Sequence, residues 1–586
     1  MTTGIEEAKS LPALLFTLAV EAPDLPMIGY WRDKGWHKLS RGAFAQSVAN
    51  AAAGLRRLGV MPGDRVLLVS ENRPEFLIAD TAVMSIGAVS VPTYTTNTEA
   101  DHAHILRDSG ARAVVSSTAA LADRIRSAAG QVAGLDVLIC MEPAEGTTPW
   151  SALEAPADLP ALIAEVEQIP DGRLACLIYT SGTGGAPKGV MLPHRSMLAN
   201  CAAVRKIIRR LHIREQGRYL SFLPLSHAYE HTVGGYLMPS AGVELVFSRG
   251  ADKLLADFAE HQPHLITTVP RLFEVIRERV SAQVAKEGGG KQKLFDKALA
   301  LGLKRLDGRL NPIEWVMDKV LDRLVREKVR ARFGGRIKAL VSGGARLDPD
   351  LSGFFLGLGV TVLQGYGQTE AGPVVSVNLP WDNDRRSVGR PLHGVAVKIA
   401  TDGELLVRGD LVMDGYWNNP EATARSIAVT SDDGLAWLHT GDVAELREGR
   451  IHITDRKRDF LKLKGGDMVA PSKIESLLAA EPEVAQVVAA GEGMAGVGGA
   501  HRGGRGARGA NRRRGEARER PALAHRAHPP LQGPARSLHR RERADDADHE
   551  GEAPSGDRAI RDRNRRAGLT SWKPFGNFAP GVSLQS

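Results

Sequence analysis

Tyr179-Thr180-Ser181-Gly182-Thr183-Gly184-Gly185-Ala186-Pro187-Lys188-Gly189-Val190 is the stretch on which the reading of this chain turns. A loop this dense in Gly, Ser and Thr around one lysine suits a polyphosphate. The glycines let backbone N–H groups approach phosphate oxygens, the hydroxyls donate, and the ammonium adds a point charge. The apolar run Leu174 to Tyr179 before it predicts a buried strand, with the loop emerging at a sheet edge. A Walker A loop would place Ser or Thr after Gly-Lys, whereas Lys188 lies between Pro187 and Gly189.

Working outward, residues 13–130 alternate helical stretches with short apolar runs such as Arg65 to Ser70 and Ala88 to Pro92, and residues 171–250 continue the rhythm. Strand followed by helix predicts an α/β fold. Lys338 to Ser342 and Val360 to Gln364 read as further strands. They end in the Gly-rich loops Gly343-Gly344-Ala345 and Gly365-Tyr366-Gly367-Gln368-Thr369-Glu370. In open α/β sheets ligands sit where such loops leave the carboxyl ends of strands, so these loops should converge with the first. From Gln283 to Arg332 the pattern is helical, with Phe295, Leu299, Leu303 and Leu306 on one face and Lys293, Lys297 and Lys304 on the other. An ordinary amphipathic surface pair is the simpler reading, and peripheral membrane contact the alternative. Residues 385–450 hold short alternating runs with Gly, Asp and Asn turns, as in a small β subdomain.

Glu370 could supply an oxygen ligand to a phosphate-bound magnesium ion while Thr369 bonds a phosphate. Asp442, in His439-Thr440-Gly441-Asp442, could accept both hydroxyls of a ribose from a tight turn. The charged run Asp455 to Asp459 suits a hinge.

The 586 residues exceed one core and predict two or three domains. The three cysteines are far apart and suggest a reducing compartment. The acidic start, without a basic leader, predicts a cytoplasmic protein. The net charge of +8 is misleading. From His501 onward eighteen arginines and Lys573 oppose ten acidic residues, so the tail carries the excess and the rest is near neutral. A nucleic-acid-binding face is not expected.

In this order the motifs resemble the adenylate-forming (AMP-binding) superfamily across roughly residues 30–490. They include Leu223-Pro224-Leu225-Ser226-His227, Tyr416-Trp417 and the Asp455 to Lys464 run, and look most like those of long-chain fatty acyl-CoA synthetases. The resemblance implies a large AMP-binding domain over 1–454 made of stacked α/β sheets plus a small β subdomain. A hinge and partial C-terminal α/β domain would follow over 455–490. It also implies a two-step reaction, in which fatty acid and Mg-ATP give acyl-AMP and pyrophosphate, and coenzyme A then displaces AMP. By motif position Thr180, Ser181, Gly182, Thr183 and Lys188 would hold the pyrophosphate, with Thr369 and Glu370 serving phosphate and magnesium. Gly344, Ala345 and Tyr366 would frame adenine, and Asp442 and Arg456 would hold the ribose. His227 would stand near the acyl carboxylate, and Lys462 would be the hinge-side lysine of thioester formation. A fatty acyl-AMP ligase feeding a carrier protein, or a nucleotide-binding protein without turnover, are the alternatives.

Two features depart from the resemblance. His227-Ala228-Tyr229-Glu230-His231 has the spacing of an inverted zinc-protease motif, but a zinc hydrolase would leave the phosphate loop, Glu370 and Asp442 without a purpose. Residues 491–586 form an Arg/Gly/Ala-rich stretch, with almost no Val, Ile, Phe or Tyr over 501–566, expected to be a disordered basic tail. The family's C-terminal domain ends in a Pro-rich loop with an essential lysine, and no such loop is present. Arg, Gly, Ala and Pro codons are rich in G and C, so the stretch reads as a gene translated out of frame from near residue 490.

Overall fold

The computed structural model describes residues 7–132, 134–180, 186–213 and 217–456, then the short strands Leu461–Lys462, Met468–Val469, Val484–Ala490, Gly498–Gly503 and Trp572–Pro574. The chain divides into two units, 1–454 and 455–586.

The first unit holds three sheets. In the first, Arg65–Val69 lies between Val89–Thr93 and Ala113–Ser116, with parallel pairing that extends to Leu174–Thr180 on one side and Val137–Cys140 on the other. Val66, Leu67, Leu68 and Val69 are all buried, the signature of a strand covered on both faces. Leu174–Thr180 is the predicted strand, but it is interior. It pairs with Val89–Thr93 on one side and antiparallel with Lys188–Pro193 on the other. The Gly-rich loop therefore leaves the carboxyl end of an internal strand rather than a sheet edge.

The second sheet has nine strands, and its middle runs parallel through Glu244–Phe247, Arg218–Ser221, Leu265–Thr268, Ala339–Ser342 and Val362–Gly367. Gly365-Tyr366-Gly367 does not form a loop, as its composition suggested, but ends this strand and pairs antiparallel with Val374–Val377. The glycines, lacking a Cβ, let the paired backbones approach closely. A Cβ on Gly367 would lie 1.8 Å from the Pro373 carbonyl oxygen. The third, five-stranded sheet is the expected β subdomain, built on Glu404–Arg408 and Ala436–Arg447.

The helices expected over 283–332 form, the first of them beginning earlier, at Pro270, and one face is revised. In Gly289–Leu306 the buried stripe is Phe295, Ala298, Leu301 and Gly302, whereas Leu306 is exposed. The helix is held where Gly302 meets the helix Pro349–Gly357, and a Cβ there would lie 2.0 Å from the Gly357 oxygen. Leu306 lies beyond that contact. The fully buried Arg326 ties the region together, donating to the carbonyls of Gly357, Asp318 and Ala298 and pairing with the Asp318 carboxylate.

In the second unit Val484–Ala490, Gly498–Gly503 and Trp572–Pro574 form a three-stranded antiparallel sheet. Among the described residues no helix is long and apolar enough to cross a membrane, and the three cysteines are buried and free.

Candidate active site

The two feet of the Gly-rich loop are cross-strand neighbours, Thr180 opposite Lys188. Ser181, Gly182 and Thr183 lie outside the described residues. The hairpin is braced from below. Tyr179 donates through its hydroxyl to Asp108 at 2.7 Å, the His104 ring contacts the Pro187 oxygen at 2.8 Å, and Gly189 lets the Tyr179 ring pass close to the backbone. Gly415–Tyr416 adds to the same sheet alongside Lys188–Pro193, with Tyr416 opposite Val190.

That pairing carries Tyr416 between two expected phosphate residues. The Lys188 ammonium stands 5.1 Å from the centre of the Tyr416 ring, and the Tyr416 hydroxyl donates to Glu370 Oε1 at 2.8 Å. Glu370 itself sits in the short turn Thr369–Ala371, and its carbonyl accepts from Met413 N at 3.0 Å. Thr180, Lys188, Thr369, Glu370 and Tyr416 are thus set by three strand ends and one turn. Sequence reading noted Tyr416 only as a landmark. Its position in the Tyr-Trp motif was the available signal.

Asp442 is 7% exposed and accepts from the Tyr366 hydroxyl at 2.6 Å. The expected tight turn is absent, because Asp442 lies within the strand Ala436–Arg447 at a pairing irregularity. Gly441 has φ +75° there, and its N–H donates to Glu404 Oε1 at 2.8 Å. The buried Glu404 carboxylate, which also meets His439 at 3.0 Å, holds the distortion in place of a turn.

Gly344, Gly365, Tyr366, Gly367, Gln368, Thr369 and His227 line a cavity of about 950 Å³, its open mouth included. Ala345 is exposed and is not among the lining residues. Away from Thr369 the walls become apolar, with Ile207, Leu211, Val233, Met238, Ile266 and Leu363 among them.

His227 stands at the turn into Ala228–Glu230, and its Nδ1 accepts from Tyr229 N at 3.1 Å. Burial pushes its pKa below the ordinary value, so the ring is neutral near pH 7. The hydrogen bond at Nδ1 assigns the remaining proton to Nε2.

The three zinc-spaced side chains have separate partners. Glu230 accepts from Tyr219 at 2.7 Å and from Ser221 and Thr267 at 2.6 Å, while His231 Nε2 lies 2.9 Å from Asp80 without hydrogen-bond alignment. Among the described residues no group of three or more His, Cys, Asp or Glu could hold a metal ion by itself. Burial pushes the Glu230 carboxyl up to about 7. Tyr219 and Thr267 line the cavity, so Glu230 supports its wall, a role with no motif to announce it.

Arg456 ends the strand Arg450–Arg456 and is exposed. Lys462 lies in Leu461–Lys462, opposite Met468. Both belong to the second unit.

Residues 16–417 match the family model of the AMP-binding enzymes. The chain belongs to the AMP-binding enzyme family. It is 33% identical over 502 residues to the long-chain-fatty-acid–CoA ligase FadD15 of Mycobacterium tuberculosis, covering 84% of this chain and 82% of that protein. It is 30% identical to the peroxisomal long chain acyl-CoA synthetase 7 of Arabidopsis thaliana, over 75% of this chain and 64% of that one. Among solved structures, the fold matches ATP-bound MatB from Rhodopseudomonas palustris with a TM-score of 0.60 at 24% identity, covering 82% of this chain and 85% of that one. The N-terminal domain of FACL13 from Mycobacterium tuberculosis matches with a TM-score of 0.57 at 23% identity, over 76% of this AMP-binding chain and all of that domain.

Proposed function

We propose that this AMP-binding enzyme activates long-chain fatty acids with ATP and transfers the acyl group to coenzyme A. One observation carries the reading. The cavity joins a polar end, built by His227, Tyr366 and Thr369, to a deep apolar wall, the form required by a molecule with one carboxylate and a long hydrocarbon chain. The names of the relatives FadD15 and acyl-CoA synthetase 7 support the same substrate class.

In the first step a carboxylate oxygen attacks the α-phosphorus of ATP. An oxygen–phosphorus bond forms, the bond to the β-phosphate oxygen breaks, and pyrophosphate leaves. His227 Nε2–H donates to the carboxylate and orients it. Thr180, Lys188 and Thr369, with Ser181, Gly182 and Thr183, hold the leaving phosphates. Gly344, Ala345 and Tyr366 flank the adenine, and Asp442 holds the ribose. The Glu370 carboxylate, fixed by Tyr416, would hold a magnesium ion, a hard cation that takes oxygen ligands. Bound there, magnesium would neutralise charge on the phosphates. In the second step the coenzyme A thiolate attacks the acyl carbon and AMP leaves, with Lys462 on the hinge side.

Positioning and charge stabilisation supply the rate, and no covalent enzyme intermediate is needed. Both steps are expected to be impaired in this chain, adenylation for want of its lysine and thioester formation more so, because the stretch after residue 490 lacks the family pattern that would complete the coenzyme A site. After Lys473 the sequence has one lysine, Lys573, in a stretch without the Pro-rich loop expected to carry the adenylation lysine. Purified protein given Mg-ATP, palmitate and coenzyme A tests both statements by mass spectrometry. Acyl-AMP in excess of acyl-CoA is expected. Acyl-CoA at ordinary rates overturns the impairment, and binding of neither ATP nor palmitate overturns the assignment. Transfer to a carrier protein instead of coenzyme A would identify the acyl-AMP ligase alternative.

A further inference from the structure

The helix Pro312–Leu321 starts at a capping box made by Asn311 and Glu314, and the wider turn Asp322–Arg326 carries it into Glu327–Arg332. One side is anchored. Leu321 is buried with Ala298 and Leu301, Met317 packs against them, and Asp318 pairs with Arg326 and Arg305. The other side is apolar and uncovered. Ile313, Val316, Val320 and Leu324 are 76%, 58%, 52% and 49% exposed. Their three- and four-residue spacing sets them in one row.

A second row runs beside the first at four-residue steps, Trp315, Lys319 and Arg323. Trp315 is 52% exposed, with the Lys319 ammonium 3.6 Å from the centre of its ring. Three of the acidic residues of this segment are engaged elsewhere, Glu314 with Lys304, Asp318 with Arg305 and Arg326, and Asp322 with Arg330, while Glu327 is exposed one turn beyond Arg323. Among the described residues no carboxylate forms an ion pair with Lys319 or Arg323, so the apolar row is flanked by positive charge that Glu327 offsets only at one end.

We propose that this face docks on the surface of a bilayer containing anionic lipids. The aliphatic row enters the headgroup–acyl boundary, the Trp315 ring lies at the interface, and Lys319 and Arg323 meet lipid phosphates. Charge complementarity selects this occupant. A second copy packed symmetrically on the same face would set Lys319 and Arg323 against their own copies, with the exposed Glu327 alone to offset them.

The test is cosedimentation of the full chain with vesicles of phosphatidylcholine alone or mixed equally with phosphatidylglycerol. Binding to the mixed vesicles is expected, falling steeply with salt. The Lys319→Glu/Arg323→Glu pair should weaken it on the order of twentyfold. The Val316→Ser/Val320→Ser pair should weaken it about tenfold while leaving the salt dependence in place. All four residues are remote from the folded core, and an unchanged melting temperature and ATP affinity check that the variants remain native. A blue shift of tryptophan emission on mixed vesicles, absent in Trp315→Phe, places that ring at the interface. The proposal is overturned by absence of binding at low salt, by equal binding of wild type and both pairs, or by a solution dimer that Val316→Ser/Val320→Ser dissociates, which would give the face to a second copy.

Discussion

The Tyr366 hydroxyl donates to Asp442 across 2.6 Å, joining the end of a strand in the nine-stranded sheet to a distorted strand of the β subdomain. The bond fixes the proposed ribose-binding carboxylate. Tyr366→Phe removes one donor to a charged acceptor and should weaken ATP binding about tenfold, and Asp442→Ala should weaken it further. Calorimetric titration with ATP reads both, and an unchanged affinity in Asp442→Ala would remove this residue from the site.

Tyr416 serves two expected phosphate residues through different atoms, its ring facing Lys188 and its hydroxyl reaching Glu370. Tyr416→Phe keeps the ring and loses the hydrogen bond, so adenylation should fall roughly fivefold and demand more magnesium. Tyr416→Leu should cost about tenfold more. Pyrophosphate release measured against magnesium concentration separates the two.

Buried groups of opposite sign set the acid response. Burial pushes His102 down to about 4 and His194 to about 3, the latter accepting from Leu11 N at 3.2 Å. The unfolded chain binds protons at both sites from about pH 6.5 downward, so the stability they confer is present above that pH and lost below it. Glu230, raised to about 7, holds its proton in the folded state, and its contribution grows as pH falls from about 7 toward 4.5. Glu230→Gln should therefore lose stability between pH 7 and pH 5 more steeply than wild type, by about 2 kcal/mol. Urea unfolding at the two pH values measures the difference.

Arg326→Met should destabilise the first unit by about 3 kcal/mol, because it leaves the buried Asp318 carboxylate with Arg305 alone and removes donors from three carbonyls. Thermal unfolding tests this, and a shift within error would mean that water replaces the guanidinium.

Leu363→Trp, in the apolar wall of the cavity, should shift preference toward shorter acyl chains. Competing palmitate against octanoate in the adenylation assay gives the ratio, and no change would place the acyl chain elsewhere.

The alternation of strands and helices was legible because apolar periodicity is local. Arg65–Val69, Leu174–Thr180 and Ala339–Ser342 lie where their runs predict. The misread segments all depend on a partner outside the stretch itself. Gly365-Tyr366-Gly367 has the composition of a loop, yet pairing with Val374–Val377 makes it strand. His439 to Asp442 looks like a turn, yet Glu404 holds it within a long strand. Leu306 fits the apolar face of its helix, yet the helix it packs on has passed.

The sequence by itself determined the kinds of group available for phosphate, metal and ribose, and the α/β order of the elements that carry them, because glycine, hydroxyl and charge patterns act over a few residues. The tertiary structure decided which groups meet. Tyr416 reaches Lys188 and Glu370, Tyr366 reaches Asp442, and Glu230 rather than a metal collects Tyr219, Ser221 and Thr267. Those contacts follow from sheet register and from the need of buried polar atoms for partners, which no local stretch of chain contains.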